Sequence, residues 1–236
     1  MKKNFILLLS LVFGFMFVAC DKATSTSDGK IEGIFTLSGN FLYPECVDTF
    51  YRVDNLSEFD IKNGDRALIT LGYEIDNLVG AKFARWYIKS VNEILPSAAL
   101  TPVADVDTDI YSSAIAGVGS YPKYGAYWMW NNVQNIYIGY YSNGQPGEFK
   151  LSPVKVSGDT LCFVLNSKII AGEEPMAKLL SYDVATAASM LSADDAEKLA
   201  SLDSICTKIT TKVDLISEDK VEELFIGGGK YKNPFK

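Results

Sequence analysis

The chain has 236 residues, 48% of them hydrophobic, and 29 acidic side chains against 22 basic ones, for a formal charge of −7. That length and apolar content describe one or two folded domains with a core and exclude a disordered or fibrous chain. Histidine is absent, which excludes Ser-His-Asp and Cys-His relays, histidine metal ligands and an imidazole acid or base near neutral pH.

Lys2 and Lys3 open the chain, residues 5–18 form an uncharged, mostly apolar run of 14 residues, and Ala19 is small. This is the build of a bacterial export signal, so residues 1–19 are expected to be cleaved as a signal peptide. A run this short falls below the ~20 residues that a helix needs to cross a bilayer. Cys20 comes next, and Phe17-Val-Ala-Cys20 resembles the lipobox of bacterial lipoproteins, with Phe17 where leucine is commoner. The resemblance implies that the Cys20 thiol receives a diacylglyceryl group and becomes the mature N-terminus. The expected location is therefore the bacterial cell envelope, with lipid anchoring at the outer membrane.

Residues 20–31 are mostly small and polar and read as a flexible tether between lipid and fold. Without residues 1–19 the chain keeps 20 basic side chains against 29 acidic ones, a formal charge of −9. Such a chain is repelled by polyphosphate backbones, so no nucleic-acid partner is expected. The membrane is contacted through the N-terminal lipid, because no polybasic patch offers a second anchor.

Strand patterning dominates the chain from residue 32 onward, so the fold class is mostly β. In 67–75, Ala67, Ile69, Leu71, Tyr73 and Ile75 alternate onto one face after the turn signal Asn63-Gly64-Asp65. With the apolar runs at 35–43, 49–53 and 82–94, residues 32–95 carry the content of an OB-like small β-barrel. Residues 96–120, rich in Ala, Ser, Thr, Pro, Asp and Gly, read as a linker. Strands at 135–141, 148–156, 160–168, 178–184 and 204–216 come after it, and residues 121–225 are expected to form a C-terminal β-sandwich. One short helix interrupts it: Ser192 is its N-cap, Asp194 and Asp195 sit at its positive end, and Leu199 and Leu202 face inward. Residues 226–236, with Gly227-Gly-Gly-Lys230, read as a flexible tail, because no strand-to-helix context or following Ser/Thr makes a phosphate loop.

Several stretches together carry a wider resemblance. Gly64-Asp65-Arg66-Ala-Leu-Ile-Thr-Leu-Gly-Tyr73 and Trp86-Tyr-Ile-Lys-Ser-Val-Asn-Glu-Ile-Leu95 belong to the first block. Trp130-Asn-Asn-Val-Gln-Asn-Ile-Tyr-Ile-Gly-Tyr140, Asp159-Thr-Leu-Cys-Phe-Val-Leu165 and Leu180-Ser-Tyr-Asp-Val184 belong to the second. Behind a lipobox, this organisation resembles the NigD-like lipoproteins over nearly the whole mature chain. The resemblance implies an N-terminal OB domain joined to a C-terminal β-sandwich and supplies architecture more than activity. The absence of histidine departs from related C-terminal blocks, which often carry one.

Three further cysteines, Cys46, Cys162 and Cys206, are too few for a disulfide scaffold, and their spacing lacks Cys-x-x-Cys. Alternation turns Cys162 and Cys206 outward from their strands, so they would meet only if those strands were neighbours; small, half-buried apolar roles are the simpler reading. Tyr121, Tyr124, Tyr127, Trp128, Trp130, Tyr137, Tyr140 and Tyr141 place eight aromatics within 21 residues. Alternation puts Trp128 and Trp130 on one face. The favoured reading is that most of these rings fill the core between two sheets, with Trp128 and Trp130 as the candidate ligand-binding rings. Asp105-Val-Asp-Thr-Asp109 opens like a calcium loop, but Ile110 and Ala116 stand where glycine and glutamate are needed, so a solvated acidic loop is expected. No catalytic residue, cofactor or metal is expected. The functional expectation is a non-catalytic binding or assembly component whose partner is an envelope protein or a glycan. The alternatives are a carbohydrate-binding surface lipoprotein and a hydrolase using a pair of carboxylates.

Overall fold

The computed structural model describes residues 29–78, 81–215 and 220–235. The chain divides into two compact units, one ending at Pro96 and the other taking up the chain at Ser97. The first contains β1 (Lys30–Ser38), β2 (Phe41–Pro44), β3 (Tyr51–Arg52), β4 (Arg66–Leu78) and β5 (Ala81–Ile94), in the sheet order β3-β2-β1-β4-β5. All four pairings are antiparallel. An isolated parallel bridge from Val53 to Trp86 brings the β3 end of the sheet to β5. The curled sheet is thus a partly closed five-stranded barrel of OB type.

Alternation explains its filling, since Ala67, Ile69 and Leu71 of β4 turn inward with Phe35, Leu42 and Ile88. The expected single run at 35–43 is two strands. Gly39, at φ 59°, reverses the chain, and the Asn63 side chain accepts the Gly39 N–H at 2.8 Å. Beside the core, Arg66 donates to both carboxylate oxygens of Glu45, the Nη2–Oε2 contact being 3.2 Å, in an ion pair that is buried on both sides. The sheet already begins at Lys30 and buries Ile31, so the last two residues assigned to the tether belong to the fold.

The second unit contains β6 (Ala98–Ala99), β7 (Gly117–Val118), β8 (Tyr127–Trp130), β9 (Val133–Ser142), β10 (Glu148–Ser157), β11 (Thr160–Lys168) and β12 (Glu174–Asp183). It ends with α1 (Ala187–Met190), α2 (Ala193–Ser201), β13 (Ser204–Leu215) and β14 (Lys220–Lys232). One sheet has the order β10-β11-β13-β14, the other β6-β12-β9-β7 with β8 also paired to β9. A single core between them takes Leu161, Phe163 and Leu165 of β11, Ile205 and Ile209 of β13, and Ile136 and Ile138 of β9. This is the β-sandwich. Its short helix α2 is capped as expected, with the Asp195 N–H donating to Ser192 Oγ at 3.2 Å, and Leu199 is fully buried. The extra helical turn α1 precedes it.

Two expectations are corrected here. The expected linker at 96–120 is not one: Pro96 ends the first unit and the second takes up the chain at Ser97. Ile115 and Leu100 lie in the sandwich core, Ile115 is tied by backbone hydrogen bonds to Lys212 and Asp214, and β6 and β7 join the sheet. A segment of small polar residues can line a core when a few apolar positions are aimed correctly, which composition does not reveal. Residues 226–235 of the expected tail are not flexible chain either, and Lys236 lies outside the described residues. Gly227 and Gly228 pair with β13 as part of β14, and Asn233 donates to the carbonyls of Leu199 and Leu202 at 2.6 and 2.7 Å, capping the end of α2. The partner strand overrides the weak strand propensity of glycine. Among the described residues, no helix is long and apolar enough to cross a membrane.

Candidate functional site

The aromatic cluster is built on β8 and β9. Their register pairs Tyr127 with Ile136, Trp128 with Asn135, Met129 with Gln134 and Trp130 with Val133. Paired residues share a face, so Tyr127 and Met129 turn into the sandwich core while Trp128 and Trp130 turn outward with Tyr137. The inter-sheet reading therefore fits Tyr127 and Tyr140 but not Trp128, Trp130 or Tyr137. Alternation identified the faces, whereas the opposite sheet decided which face became interior.

Trp128 is nevertheless only 4% exposed. A tight turn covers it: the Tyr121 N–H donates to the Gly125 carbonyl at 2.8 Å and the Gly125 N–H returns to Tyr121 at 3.0 Å. Lys123 and Gly125 take the positive φ angles this reversal needs, 71° and 83°. The turn stacks Tyr124 on Trp128 at 5.0 Å and 24° between planes. Tyr121 lies 6.0 Å from Trp128 and meets Tyr137 edge-on at 5.3 Å. Opposite Trp128, buried Asn135 accepts a hydrogen bond from Ser181 Oγ at 2.8 Å. Trp128 thus organises the patch from beneath, and half-buried Tyr121, Tyr124, Trp130 and Tyr137 form its accessible part.

Inside the sandwich, Thr207 Oγ1 donates to Gln134 at 3.1 Å and also contacts the Tyr127 hydroxyl. Burial pushes the Tyr127 and Tyr182 phenols well above their ordinary range, so both stay neutral. At one end of the sandwich, Glu148 accepts from Lys168 and from the Tyr111 hydroxyl, each at 2.8 Å. Lys150 sits over the Tyr111 ring at 4.2 Å. This exposed cluster lowers the Glu148 carboxyl below its usual value, chiefly through the Lys168 hydrogen bond.

The other sequence candidates separate. Cys20 lies outside the described residues. Cys162 and Cys206 do lie on neighbouring strands, but Cys206 stands opposite Thr160 and Cys162 opposite Lys208, and both thiols are free. In the acidic loop, Asp107 Oδ1 accepts the N–H groups of Asp109 and Ile110 at 3.0 and 3.3 Å, which makes it a turn-forming group. Among the described residues no cluster of three or more Cys, Asp or Glu side chains is placed to hold a metal ion. Glu45 is the buried carboxylate among them, and it faces Arg66 rather than a second acid. Sequence reasoning missed one feature, the exposed rings Tyr43 and Phe50 beside Phe41 on the barrel unit. The Gly39 turn was the available signal, because a reversal there turns Phe41 and Tyr43 onto the outer face.

No protein-family model and no curated protein sequence matches the chain. Its fold is similar to that of a NigD-like immunity protein from Bacteroides caccae, at 15% identity over 85% of this chain and 93% of that one, with a TM-score of 0.50. A candidate toxin-related protein from Parabacteroides distasonis is similar at 12% identity, with the same two coverages and a TM-score of 0.54. A candidate lipoprotein from Bacteroides fragilis is similar at 11% identity over 84% of this chain and 96% of that one, with a TM-score of 0.55. At these identities the likeness is one of fold, and the mostly β architecture resembling the NigD-like lipoproteins is what this chain and those proteins share.

Proposed function

We infer that this chain is a non-catalytic binding or assembly component of the bacterial cell envelope, held at the outer membrane by a lipid on Cys20. The observation that carries the binding reading is the aromatic patch on the outer face of β8 and β9. Tyr121, Tyr124 and Tyr137 are fixed around buried Trp128. Rings held in place by packing lose little freedom when a partner lands on them, which is how aromatic anchors contribute to affinity. The N-terminal charge, apolar run, Ala19 and Cys20 support export and lipidation, and the fold likeness to a candidate lipoprotein agrees with that reading.

An envelope protein is the partner this reading takes first, since aromatic rings held by packing are the usual anchors of protein contacts. A glycan is the alternative ligand. The experiment is to present the purified chain to envelope polysaccharides and envelope proteins, measuring both binding and the release of reducing ends. The reading expects binding that weakens in Trp130→Ala without release of sugar. Released sugar that vanishes on replacing one acidic residue would establish a hydrolase instead.

A further inference from the structure

Residues 113–117 carry the chain from one sheet of the sandwich to the other. The Ser113 N–H donates to the Ser167 carbonyl, the Ile115 N–H to Lys212, the Asp214 N–H to Ile115 and the Ala116 N–H to Gly139, each at 2.9 Å. Ile115 is fully buried, and Val213, bridged to it, also lies in the core. Strand alternation therefore turns Ala114, Ala116 and Asp214 to the outside. Tyr140 of β9 belongs to the same core, so half-buried Tyr141 turns outward as well.

The stretch after β11 closes the other side. The Ile169 N–H donates to Ser113 Oγ at 3.0 Å, and the Asn143 N–H donates to the Ile170 carbonyl at 3.2 Å. Gly172 lies so close to the end of β9 that a Cβ there would stand 2.3 Å from the Ser142 carbonyl, so the two backbones can meet only at a glycine. Because Ala114, Ala116, Ala171 and Gly172 carry little or no side chain, a recess of about 280 Å³ remains between them and Ile169, Tyr141 and Asp214. Pockets for drug-sized ligands run to ~300–1,000 Å³, so this one suits a single long side chain. Asp214 is the charged group among these lining residues; it is exposed and forms no ion pair among the described residues.

We propose that this recess is a docking pocket for an arginine side chain of a partner protein. The aliphatic stem covers Ala114, Ala116 and Ile169, the guanidinium pairs with Asp214, and its plane lies on the Tyr141 ring. Carboxylate pairing and stacking on an aromatic face are the two contacts that favour arginine over lysine. Ile170, set between two lining residues and 52% exposed, offers apolar contact to the residues beside that arginine, which a free amine would not use. Charge selects the same partner, because a chain of formal charge −7 attracts a basic segment and repels an acidic one. Tyr141 stands beyond Tyr137 on β9 by about 14 Å of strand, and the proposal does not rest on the aromatic patch around Trp128.

The test uses the full chain, purified in detergent with isotope-labelled alanine methyls, and titrates it with a capped pentapeptide that holds one arginine between two leucines. The methyl signals of Ala114, Ala116 and Ala171 are expected to shift saturably. The counterpart peptide with citrulline, which keeps the shape and loses the charge, should bind about tenfold or more weakly, and Asp214→Asn should weaken the arginine peptide by a similar factor. Tyr141→Phe should retain binding, whereas Tyr141→Ala should lose about threefold or more. The lysine counterpart should bind more weakly than the arginine peptide. No saturable shift at these three methyls, equal binding of the citrulline peptide, or an unchanged Asp214→Asn variant would overturn the proposal. So would binding of spermidine or of the lysine peptide as tight as that of the arginine peptide. The citrulline comparison needs no substitution in the chain and is unaffected by any folding defect in a variant.

Discussion

Replacing Trp128 by alanine separates a supporting ring from a ligand-contacting one. Trp128 is 4% exposed, and its neighbours are a stacked Tyr124 at 5.0 Å and Tyr121 at 6.0 Å. Truncating a buried aromatic costs about 3–5 kcal/mol, including the cavity left behind. The cover over Trp128 is a single turn that can settle into the space, so the lower end, about 3 kcal/mol, is expected. Tyr124→Ala removes one stacked contact from a half-buried ring and should cost about 1 kcal/mol. Because the two rings touch, the double variant should depart from additivity by about 0.5–1.5 kcal/mol. Urea denaturation followed by far-ultraviolet circular dichroism reads these differences. With a slope of roughly 2 kcal/mol per molar urea, Trp128→Ala should lower the midpoint by about 1.5 M. A midpoint within about 0.3 M of the parent chain would refute the supporting role and return Trp128 to the ligand-contacting group.

Cys20→Ser should abolish incorporation of labelled fatty acid, and label retained by that variant would refute the lipidation reading. Glu45→Ala leaves Arg66 buried without its carboxylate and should cost about 3–5 kcal/mol, whereas Glu45→Leu combined with Arg66→Met should recover most of it on the same denaturation curves. Ser152 Oγ is buried without a hydrogen-bond partner among the described residues, so Ser152→Ala should leave the chain equally or more stable, and a loss above about 1 kcal/mol would reveal a missed partner. The depressed Glu148 carboxyl contributes stability above the ordinary value of 4.5, and this is lost as pH falls through the lowered value. Lys168 and Tyr111 are raised, so their contributions are present below 10.5 and 10.0 and are lost as pH rises through the raised values. Melting temperatures measured across pH should therefore show Glu148→Gln flattening both the acid and the alkaline falls.

Much of the strand content was legible because a strand with one buried face writes a period of two into its side chains. Ala67, Ile69 and Leu71 in β4, and Leu161, Phe163 and Leu165 in β11, point inward as that period requires. The Ser192 cap was equally local, since an N-cap is a contact across three residues. The export signal rests on local sequence alone, and its lipidated cysteine remains a proposal. The linker and tail were misread because their structure is supplied from a distance. Ile115 is held by β13, and the glycines of β14 are held by the strand beside them.

The amino-acid sequence by itself determined the mostly β class, the turn at Gly64, the helix start and the faces onto which Trp128 and Trp130 fall. Each depends on residues a few positions apart, where backbone geometry dictates the pattern. Tertiary structure decided which of those faces became interior. It buried Trp128 beneath Tyr121 and Tyr124 on the outer face of its sheet and left Phe50 and Tyr43 in solvent. Periodicity records that two faces differ, but not which other sheet, turn or partner covers each one. That choice comes from pairings such as β8 with β9 and β2 with β3, and from chain reversals that put rings from separate segments within contact distance.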